Sequence, residues 1–371
     1  MNRLNAEIYR DRIKNNIGIV TAHIPRSVNI IGVVKSDGYG HGAYEVSKIL
    51  INAGINYLAV SDLEEGLILR KKFPEVSIIV LGEIGERRLA EAVLNELTIT
   101  LSSINSVRKI SMVAEAVDTI ARVHVKVDTG MGRFGMPPED VLPALQSLSN
   151  TSHINLEGIF SHLSATFNTD SDSNNFTINQ LDIFENVCGG AIKDGLLPEM
   201  VHIGSSTALI GFPEKIVSGY FNSIRIGTLF LGYEERKCCW QRHVQPAAEI
   251  FTNICMIRTL PPGHTVGYAK TFTTSRETRL AILPIGYGHG FHRDFGNVGQ
   301  VIVNNCRANI IGKPSLGQLI IDVTNIPDVN VGDRVTLAGL EISAFEEANK
   351  IGRGTWEVIL PLLEHSERSY L

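Results

Sequence analysis

The chain has 371 residues and a formal net charge of −5, from 34 basic and 39 acidic side chains. This balance argues against a general attraction to nucleic acid or to an anionic membrane surface, and no apolar stretch approaches the length of a membrane span. The first residues lack the basic and apolar regions of a secretory signal, and the five cysteines form no CxxC pair. We therefore expect a cytoplasmic enzyme, long enough for two domains.

The first two-thirds of the chain alternates short apolar runs with helical patterns. The runs end near eight positions: Val34, Val60, Leu81, Leu101, Val127, Phe160, His202 and Ile226. Apolar spacing of three and four predicts helices over Ala43–Ala53, Glu86–Leu94, Ile104–Ala116 and Glu139–Leu148, with a capping box at Ser61–Glu64. Eight such strands predict an α/β fold, a closed TIM-like (β/α)₈ barrel. An open doubly wound sheet is the alternative, but it rarely has eight strands without a GxGxxG after the first, and none is present.

From about residue 240 the pattern changes to short strand-like runs separated by turn residues. These runs are Glu249–Ile257, Arg279–Pro284, Gln300–Val303, Arg307–Gly312, Gln318–Val323 and Arg334–Leu337. One helical pattern occurs near Ser343–Lys350. We therefore predict a barrel domain over residues 1–238 and a mainly-β domain over residues 239–371.

The segment Val33–Gly42 is the strongest chemical signal in the chain. Lys35 ends an apolar, β-branched run, and a buried lysine with a lowered pKa is a nucleophile that can form an imine with an aldehyde. Three glycines and Tyr39 follow at once, which suits close approach to a phosphate. An imine-forming lysine beside a phosphate site suggests pyridoxal 5′-phosphate (PLP). A lysine whose ammonium reaches out into water is the plainer alternative.

This segment resembles the cofactor-lysine motif of the alanine racemase family, the fold type III PLP enzymes. The resemblance recurs in order over most of the chain, at Val125–Gly135, Glu157–His162, His202–Ser206, Ile224–Gly227, Val266–Phe272, Pro284–Gly290 and Gly312–Thr324. It implies that Lys35 carries PLP as an imine. It also implies that the phosphate is held by Tyr39, by Ser206 and by backbone amides around Gly227 and Thr228. For Ser206 and its neighbour, a helix N-cap pair is the competing interpretation.

The resemblance also assigns the groups that tune the cofactor and move protons. Arg225 lies in the last barrel strand and would face the pyridine nitrogen; because arginine keeps its proton, that nitrogen would stay unprotonated, which favours racemisation over transamination. A structural salt bridge is the competing interpretation of Arg225. Lys35 would serve one face of the substrate and Tyr268, from the partner subunit of a head-to-tail homodimer, the other. His162 would link Tyr268 to Arg225.

Substrate binding is implied for three further positions. Arg133 would hold the substrate carboxylate as a fork, and Leu316 would contribute its backbone amide. Lys126 matches a position that carries a carbamate in the family, where the added carboxylate can orient the arginine. Two solvated charges are the alternative for Lys126 and Arg133. We expect no metal site.

The chain departs from the family where substrate enters. Ser315–Gly317 replaces a usual Cys-Met-Asp, Trp356 stands at a position expected to hold tyrosine, and Ser205 replaces a common asparagine. Phe167 appears where the family often has an acid. The preferred amino acid, alanine or a small residue such as serine, therefore stays open, as does its pathway, such as the supply of D-alanine to a cell wall. The alternatives are a fold type III decarboxylase and a PLP-carrying regulatory protein.

Overall fold

The structure, a computed structural model, describes residues 3–233, 235–236 and 243–371. The chain divides into two compact units. One consists mainly of Ile17–Phe230, and the other combines the N-terminal segment up to Asn16 with the part from residue 243 to Leu371 and a short stretch at 231–235. The predicted domain boundary between residues 238 and 239 lies outside the described residues.

The first unit is a closed barrel of eight parallel strands, which confirms the predicted fold and rules out the open sheet. The strands are β2 (Asn29–Val33), β3 (Tyr57–Val60), β4 (Ser77–Val80), β5 (Thr98–Leu101), β6 (Ala121–Lys126), β7 (Ile154–Phe160), β8 (Met200–His202) and β9 (Ser223–Ile226). Pairing of Ile31 with Arg225 helps to close the barrel between β2 and β9. Each predicted strand end lies within one residue of the observed end.

The barrel strands are almost continuously apolar because both of their faces are covered. Side chains from β2, β3, β4 and β8 pack into one core cluster that includes Ile31, Val33, Ala59, Ile79 and Met200. The carboxyl ends of the strands emerge together at one rim, which is where barrel enzymes place their chemistry.

The helices predicted between the barrel strands are present, with differences at their ends, and the structure adds helices that were not predicted, among them the long helix Ser171–Lys193. The helices of the first two-thirds are α1 (Arg10–Thr21), α2 (Lys35–Tyr39), α3 (Ala43–Asn52), α4 (Leu63–Lys72), α5 (Leu89–Leu94), α6 (Ile104–Ala116), α7 (Pro138–Ser149), α8 (Ser171–Lys193) and α9 (Ser206–Gly211). The predicted cap at Ser61 is one residue early, since Asp62 is the N-cap and accepts from the Glu65 amide at 3.0 Å. The predicted Glu86–Leu94 helix begins as a 3₁₀ turn.

The second unit is built on a nine-stranded sheet. The strands are β1 (Asn5–Ile8), β10 (Ala248–Asn253), β11 (Met256–Leu260), β14 (Thr278–Leu283), β15 (Gln300–Val303), β16 (Cys306–Ile310), β17 (Leu319–Asp322), β18 (Arg334–Ala338) and β19 (Glu367–Tyr370). Their order in the sheet is β11-β14-β17-β16-β15-β18-β10-β1-β19. The N-terminal strand β1 thus belongs to this sheet, between β10 and β19. Its place there was not predicted.

Two helices and a small hairpin complete the second unit. The hairpin joins β12 (Thr265–Val266) to β13 (Phe272–Thr273), and the helices are α10 (Ala344–Lys350) and α11 (Thr355–Glu364). The predicted run Glu249–Ile257 is two strands, β10 and β11. Helix α11 was missed because Pro361 interrupts its helical pattern. None of the helices in the described part of the chain combines the length and apolar character needed to cross a membrane.

Candidate active site

Lys35 lies directly after β2, at the start of an unusual turn. The four residues that follow it, from Ser36 to Tyr39, have positive φ angles of 51°, 51°, 62° and 54°. The turn is closed by bonds from the Gly38 amide to the Val34 carbonyl at 2.9 Å and from the Gly40 amide to the Ser36 carbonyl at 2.8 Å. Left-handed backbone costs about 1–2 kcal/mol for each non-glycine residue. Strain of this kind is concentrated at functional sites.

The turn brings Tyr39 and the end of β9 beside Lys35. The Lys35 Nζ lies 5.8 Å from the centroid of the Tyr39 ring. A Cβ added to Gly227 would lie 2.9 Å from the Tyr39 hydroxyl and 2.9 Å from the Val33 carbonyl oxygen. Position 227 therefore requires glycine, because any side chain there would displace the phenol or the strand that leads to Lys35.

Ser206 lies on the other side of Gly227. Its Oγ accepts hydrogen bonds from the amides of Gly227 at 3.2 Å and Leu229 at 3.5 Å, while Ser205 is the N-cap of α9. The N-cap interpretation is therefore correct for Ser205 but wrong for Ser206. The buried Thr228 continues the same segment. A phenol, a serine hydroxyl and clustered backbone amides are donors that suit a phosphate, so these residues fit the phosphate end of PLP.

Arg225 is buried, with 5% of its surface exposed. One terminal nitrogen contacts the His202 Nδ1 at 2.6 Å and donates to the His202 carbonyl at 3.3 Å. The other donates to the carbonyls of Ser161 at 2.9 Å and Ile203 at 3.3 Å, and contacts the His162 Nδ1 at 3.1 Å. The predicted contact between His162 and Arg225 is therefore present. Five bonds to both terminal nitrogens fix the plane of the guanidinium.

The partners of Arg225 are neutral, so the salt-bridge interpretation is wrong. Burial lowers the pKa of Arg225 to about 10, which leaves it a cation at neutral pH. Burial, followed by the positive charge of Arg225, lowers the pKa values of His162 and His202 well below their ordinary range. A cation surrounded by neutral acceptors is available to polarise a bound ring without transferring a proton.

Behind Arg225, a chain of two histidines runs into the barrel interior. His202 Nε2 contacts His124 Nδ1 at 3.0 Å, and burial lowers the pKa of His124 to about 3. Because His202 Nδ1 accepts from the arginine, its Nε2 carries the proton and donates to His124. The Phe160 ring stacks on His202 at 4.8 Å between centroids. Roles for His124 and His202 were not predicted from the sequence, although their positions in barrel strands offered a signal.

The buried histidines predict a specific dependence of stability on pH. The unfolded chain binds protons at these histidines below about pH 6.5, whereas folded His124 stays neutral down to about 3. Stability should therefore fall as the pH drops through that window, by about 1.4 kcal/mol per pH unit for each such histidine. The free energy of unfolding, measured with urea at several pH values, should depend less steeply on pH in His124→Gln, by about the contribution of one histidine. An unchanged dependence of the free energy of unfolding on pH in His124→Gln would contradict the assignment.

Lys126 is the last residue of β6, and Arg133 lies in the loop that follows it. Lys126 is only 5% exposed, and its Nζ lies 5.4 Å from the Phe134 ring and 5.6 Å from the Phe160 ring. Burial, together with the charges of Arg133 and Arg225, lowers the pKa of Lys126 to about 8. The alternative of a solvated Lys126 is therefore wrong. Arg133 is exposed.

The loop that presents Arg133 is organised by Asp128. Its carboxylate accepts hydrogen bonds from the amides of Gly130 at 3.0 Å, Met131 at 2.9 Å and Gly132 at 3.1 Å. A Cβ at Gly135 would lie 2.6 Å from the Asp128 amide nitrogen, so the loop folds back tightly after Arg133. Asp128 was not recognised from the sequence.

Tyr268 and Leu316 belong to the second unit. Tyr268 is 64% exposed, in a turn where Gly267, Ala269 and Lys270 have φ angles of 73°, 60° and 52°. Leu316 is 63% exposed, and its carbonyl accepts from the Gly288 amide at 2.9 Å. Both side chains are thus presented outward on this unit.

Two of the residues that depart from the family pattern, Phe167 and Trp356, occupy distinct environments. Phe167, in the barrel unit, is 51% exposed. Trp356 in the second unit is half-buried, and its ring packs edge-on to Tyr233 with centroids 5.1 Å apart. Trp356 is therefore fixed by packing, whereas the Phe167 ring is exposed on its own unit.

The chain is similar to known proteins over nearly its whole length. The family model "Alanine racemase, N-terminal domain" matches residues 8–235, and "Alanine racemase, C-terminal domain" matches residues 247–370. Alanine racemases from Halothermothrix orenii and Methanococcus maripaludis are each 32% identical, covering 98% and 99% of this chain and 96% and 98% of those proteins. The solved alanine racemase of Clostridium difficile 630 matches with a TM-score of 0.89 at 27% identity, over 100% of this chain and 96% of that one.

Proposed function

The chain belongs to the alanine racemase family, and from that premise we propose that it is a PLP-dependent racemase that interconverts L- and D-alanine. The observation that carries the proposal is the convergence of Lys35, Tyr39, Ser206, Gly227 and Arg225 at one rim of the barrel. These residues supply an amine, phosphate donors and a fixed cation. When bound, PLP acts as an electron sink that makes the α-proton of an amino acid acidic.

The protein groups then have distinct tasks. Tyr39 and Ser206, with the amides near Gly227 and Thr228, would hold the phosphate. Arg225, held by His202 and His162, would face the ring nitrogen as a permanent cation. The carboxylate of the substrate would be bound by Arg133 and by the amide of Leu316.

Racemisation requires an acid–base group on each face of the α-carbon. We propose that the Lys35 amine transfers the proton on one face and the Tyr268 phenol on the other. Tyr268 is exposed on its own unit. We propose that the Tyr268 side chain at each active site comes from the partner subunit of a homodimer. His162 would connect the phenol to Arg225, with which it is already in contact.

Lys126 is proposed to carry a carbamate. A neutral amine is required for reaction with CO₂, and a pKa of about 8 leaves an appreciable neutral fraction at neutral pH. The amine nitrogen would bond to the carbon of CO₂ and release a proton to solvent, and the resulting carbamate anion would replace repulsion between Lys126 and Arg133 by attraction. Acidification below about pH 8 withdraws the reactive amine.

Lys126→Ala should raise the KM for alanine by about 10-fold, because Arg133 loses a group that orients it. In the wild type, ¹³C-bicarbonate should give a carbamate NMR signal that Lys126→Ala lacks. Lys193→Ala, at the end of α8, should keep both the signal and the KM. A wild-type enzyme without this signal, in the presence of bicarbonate, would contradict the modification.

The function is tested with the purified protein, PLP and separate solutions of L-alanine and L-serine in D₂O. Loss of optical rotation with deuterium at the α-carbon supports the racemase, and the faster amino acid identifies the substrate. Release of CO₂ without racemisation would instead favour a decarboxylase. A coloured protein that turns over neither amino acid would favour a regulatory role.

A further inference from the structure

The carboxylate of Glu65, which is not among the proposed catalytic residues, is hydrogen-bonded to the turn that follows Lys35. Glu65, in the first turn of α4, accepts a hydrogen bond from the backbone amide of Ser36 through Oε1. Its other oxygen accepts from the amide and from the hydroxyl of Ser61, both at 2.8 Å. One side chain thus joins the segment after β2 to the segment after β3.

The position of this carboxylate is itself fixed. The Asp62 side chain caps α4 by accepting from the Glu65 amide at 3.0 Å, so the first helical turn holds the Glu65 backbone. Glu65 is half-buried, where charge-assisted bonds to backbone amides are stronger than in open solvent. These bonds anchor one side of the turn, and the Asp37 carboxylate, accepting from the Ala43 amide at 2.8 Å, anchors the other.

The anchored amide is the one next to Lys35. Ser36 is the first of four successive residues with positive φ, and its peptide plane sets the direction in which the Lys35 side chain leaves the strand. A turn of this conformation relaxes when an outside contact is lost, because the left-handed region is unfavourable for Ser36, Asp37 and Tyr39. The bond from Glu65 to Ser36 therefore opposes relaxation at the residue that matters most to Lys35.

We propose that Glu65 is a positioning residue for Lys35, a role that rests on the proposed function of Lys35. Glu65 holds the strained turn so that the amine faces the space bounded by Tyr39, Gly227 and Arg225. It does not contact the reacting atoms. Its effect on the reaction comes through the orientation of Lys35.

The competing interpretation is that Glu65 only stabilises the start of α4, where acidic side chains are commonly favourable. Glu64 provides a matched control for that effect. It lies in the same helical turn, its side chain is 63% exposed, and it pairs with Arg88 instead of the Lys35 turn. Glu64→Gln and Glu65→Gln therefore both remove one charge from the helix start, but only the second breaks the bridge between Ser36 and Ser61.

Glutamine is the most informative replacement at position 65, because it changes the hydrogen bonds of the side chain without changing its size. Glu65 accepts from three donors, and an amide replaces one of its oxygens with an NH₂ group of the same size. Whichever way the amide is turned, that NH₂ faces a backbone N–H, of Ser36 or of Ser61. Glu65→Gln thus keeps the volume of the side chain while breaking one end of the bridge.

The experiment compares wild type, Glu65→Gln and Glu64→Gln as PLP-loaded enzymes. In Glu65→Gln, amide hydrogen exchange in peptides covering residues 36–42 should quicken by about 10-fold or more. Its kcat should fall by about 10- to 100-fold, with KM for alanine within about threefold of wild type, because misplacing Lys35 impairs proton transfer without touching Arg133. Glu64→Gln should match the wild type in all three quantities.

Two results would overturn the proposal. One is unchanged exchange at residues 36–42 in Glu65→Gln. The other is faster exchange with kcat equal to that of Glu64→Gln, which would make the contact purely structural. If Glu65→Gln does not fold, Ser61→Ala removes one of the three donors, and the same changes are expected at smaller size; their absence would also overturn the proposal. A wild-type enzyme that racemises no amino acid would refute the proposed function instead, and hydrogen exchange would still report on the Glu65 contact.

Discussion

Lys35→Ala should lower the rate of alanine racemisation by about 10⁴-fold or more. The substitution removes both the covalent attachment of PLP and one of the two proton-transfer groups, and each alone is worth orders of magnitude in rate. The variant should also lose the visible absorbance of the enzyme, because it lacks the amine beside Tyr39 that is proposed to hold PLP. The measurements are the absorption spectrum and the change of optical rotation with L-alanine.

Borohydride reduction followed by peptide mass spectrometry identifies the modified lysine directly. In the wild type the reduced cofactor should be found on the peptide that contains Lys35. Lys48→Ala, which removes an exposed lysine from α3, should retain colour, labelling and activity. If Lys35→Ala kept its colour and its activity, the assignment of the cofactor lysine would be wrong.

Tyr268→Phe should keep the colour but lower racemisation by about 10²- to 10⁴-fold, the usual contribution of one general acid or base. The two enantiomers have equal free energies, so kcat/KM must remain equal for the L-to-D and D-to-L directions in any variant. The loss of one base is therefore detected by isotope exchange. In D₂O, one enantiomer should exchange its α-proton through Lys35 faster than it inverts, whereas the other should do so much more slowly.

The matched control is Tyr44→Phe, which removes an exposed phenol from the outside of the barrel. It should leave racemisation and exchange unchanged. Near-normal racemisation in Tyr268→Phe, or equal exchange of both enantiomers without inversion, would reject the assignment of Tyr268 as the second base.

The barrel could be predicted from the sequence because its strands are buried on both faces. Such strands become short, continuous apolar runs, and all eight predicted ends fall within one residue of the structure. The second unit was predicted less completely. The sequence around β1 does not indicate its partner strands, which lie more than two hundred residues away. Helix α11 contains Pro361, which interrupts its helical pattern.

The same contrast holds within the candidate site. Lys35, Tyr39 and Arg225 could be identified because each is unusual for its place in the sequence or matches a family motif. His124, Asp128 and Glu65 were missed because each acts through a contact that only the folded chain creates. Asp128 and Glu65 bind backbone amides, and because every residue except proline has such an amide, the sequence does not show which one is bound. His124 contacts His202, which lies on another strand of the barrel.

The place of β1 in the sheet has a consequence for how the second unit assembles. Among the described strands, β19 ends the sheet and is hydrogen-bonded to β1, which in turn connects it to β10. Deleting the four residues Asn5–Ile8 would thus remove the strand with which β19 pairs, although β19 lies more than three hundred residues later in the sequence. During translation, the earliest strand must wait for segments made much later.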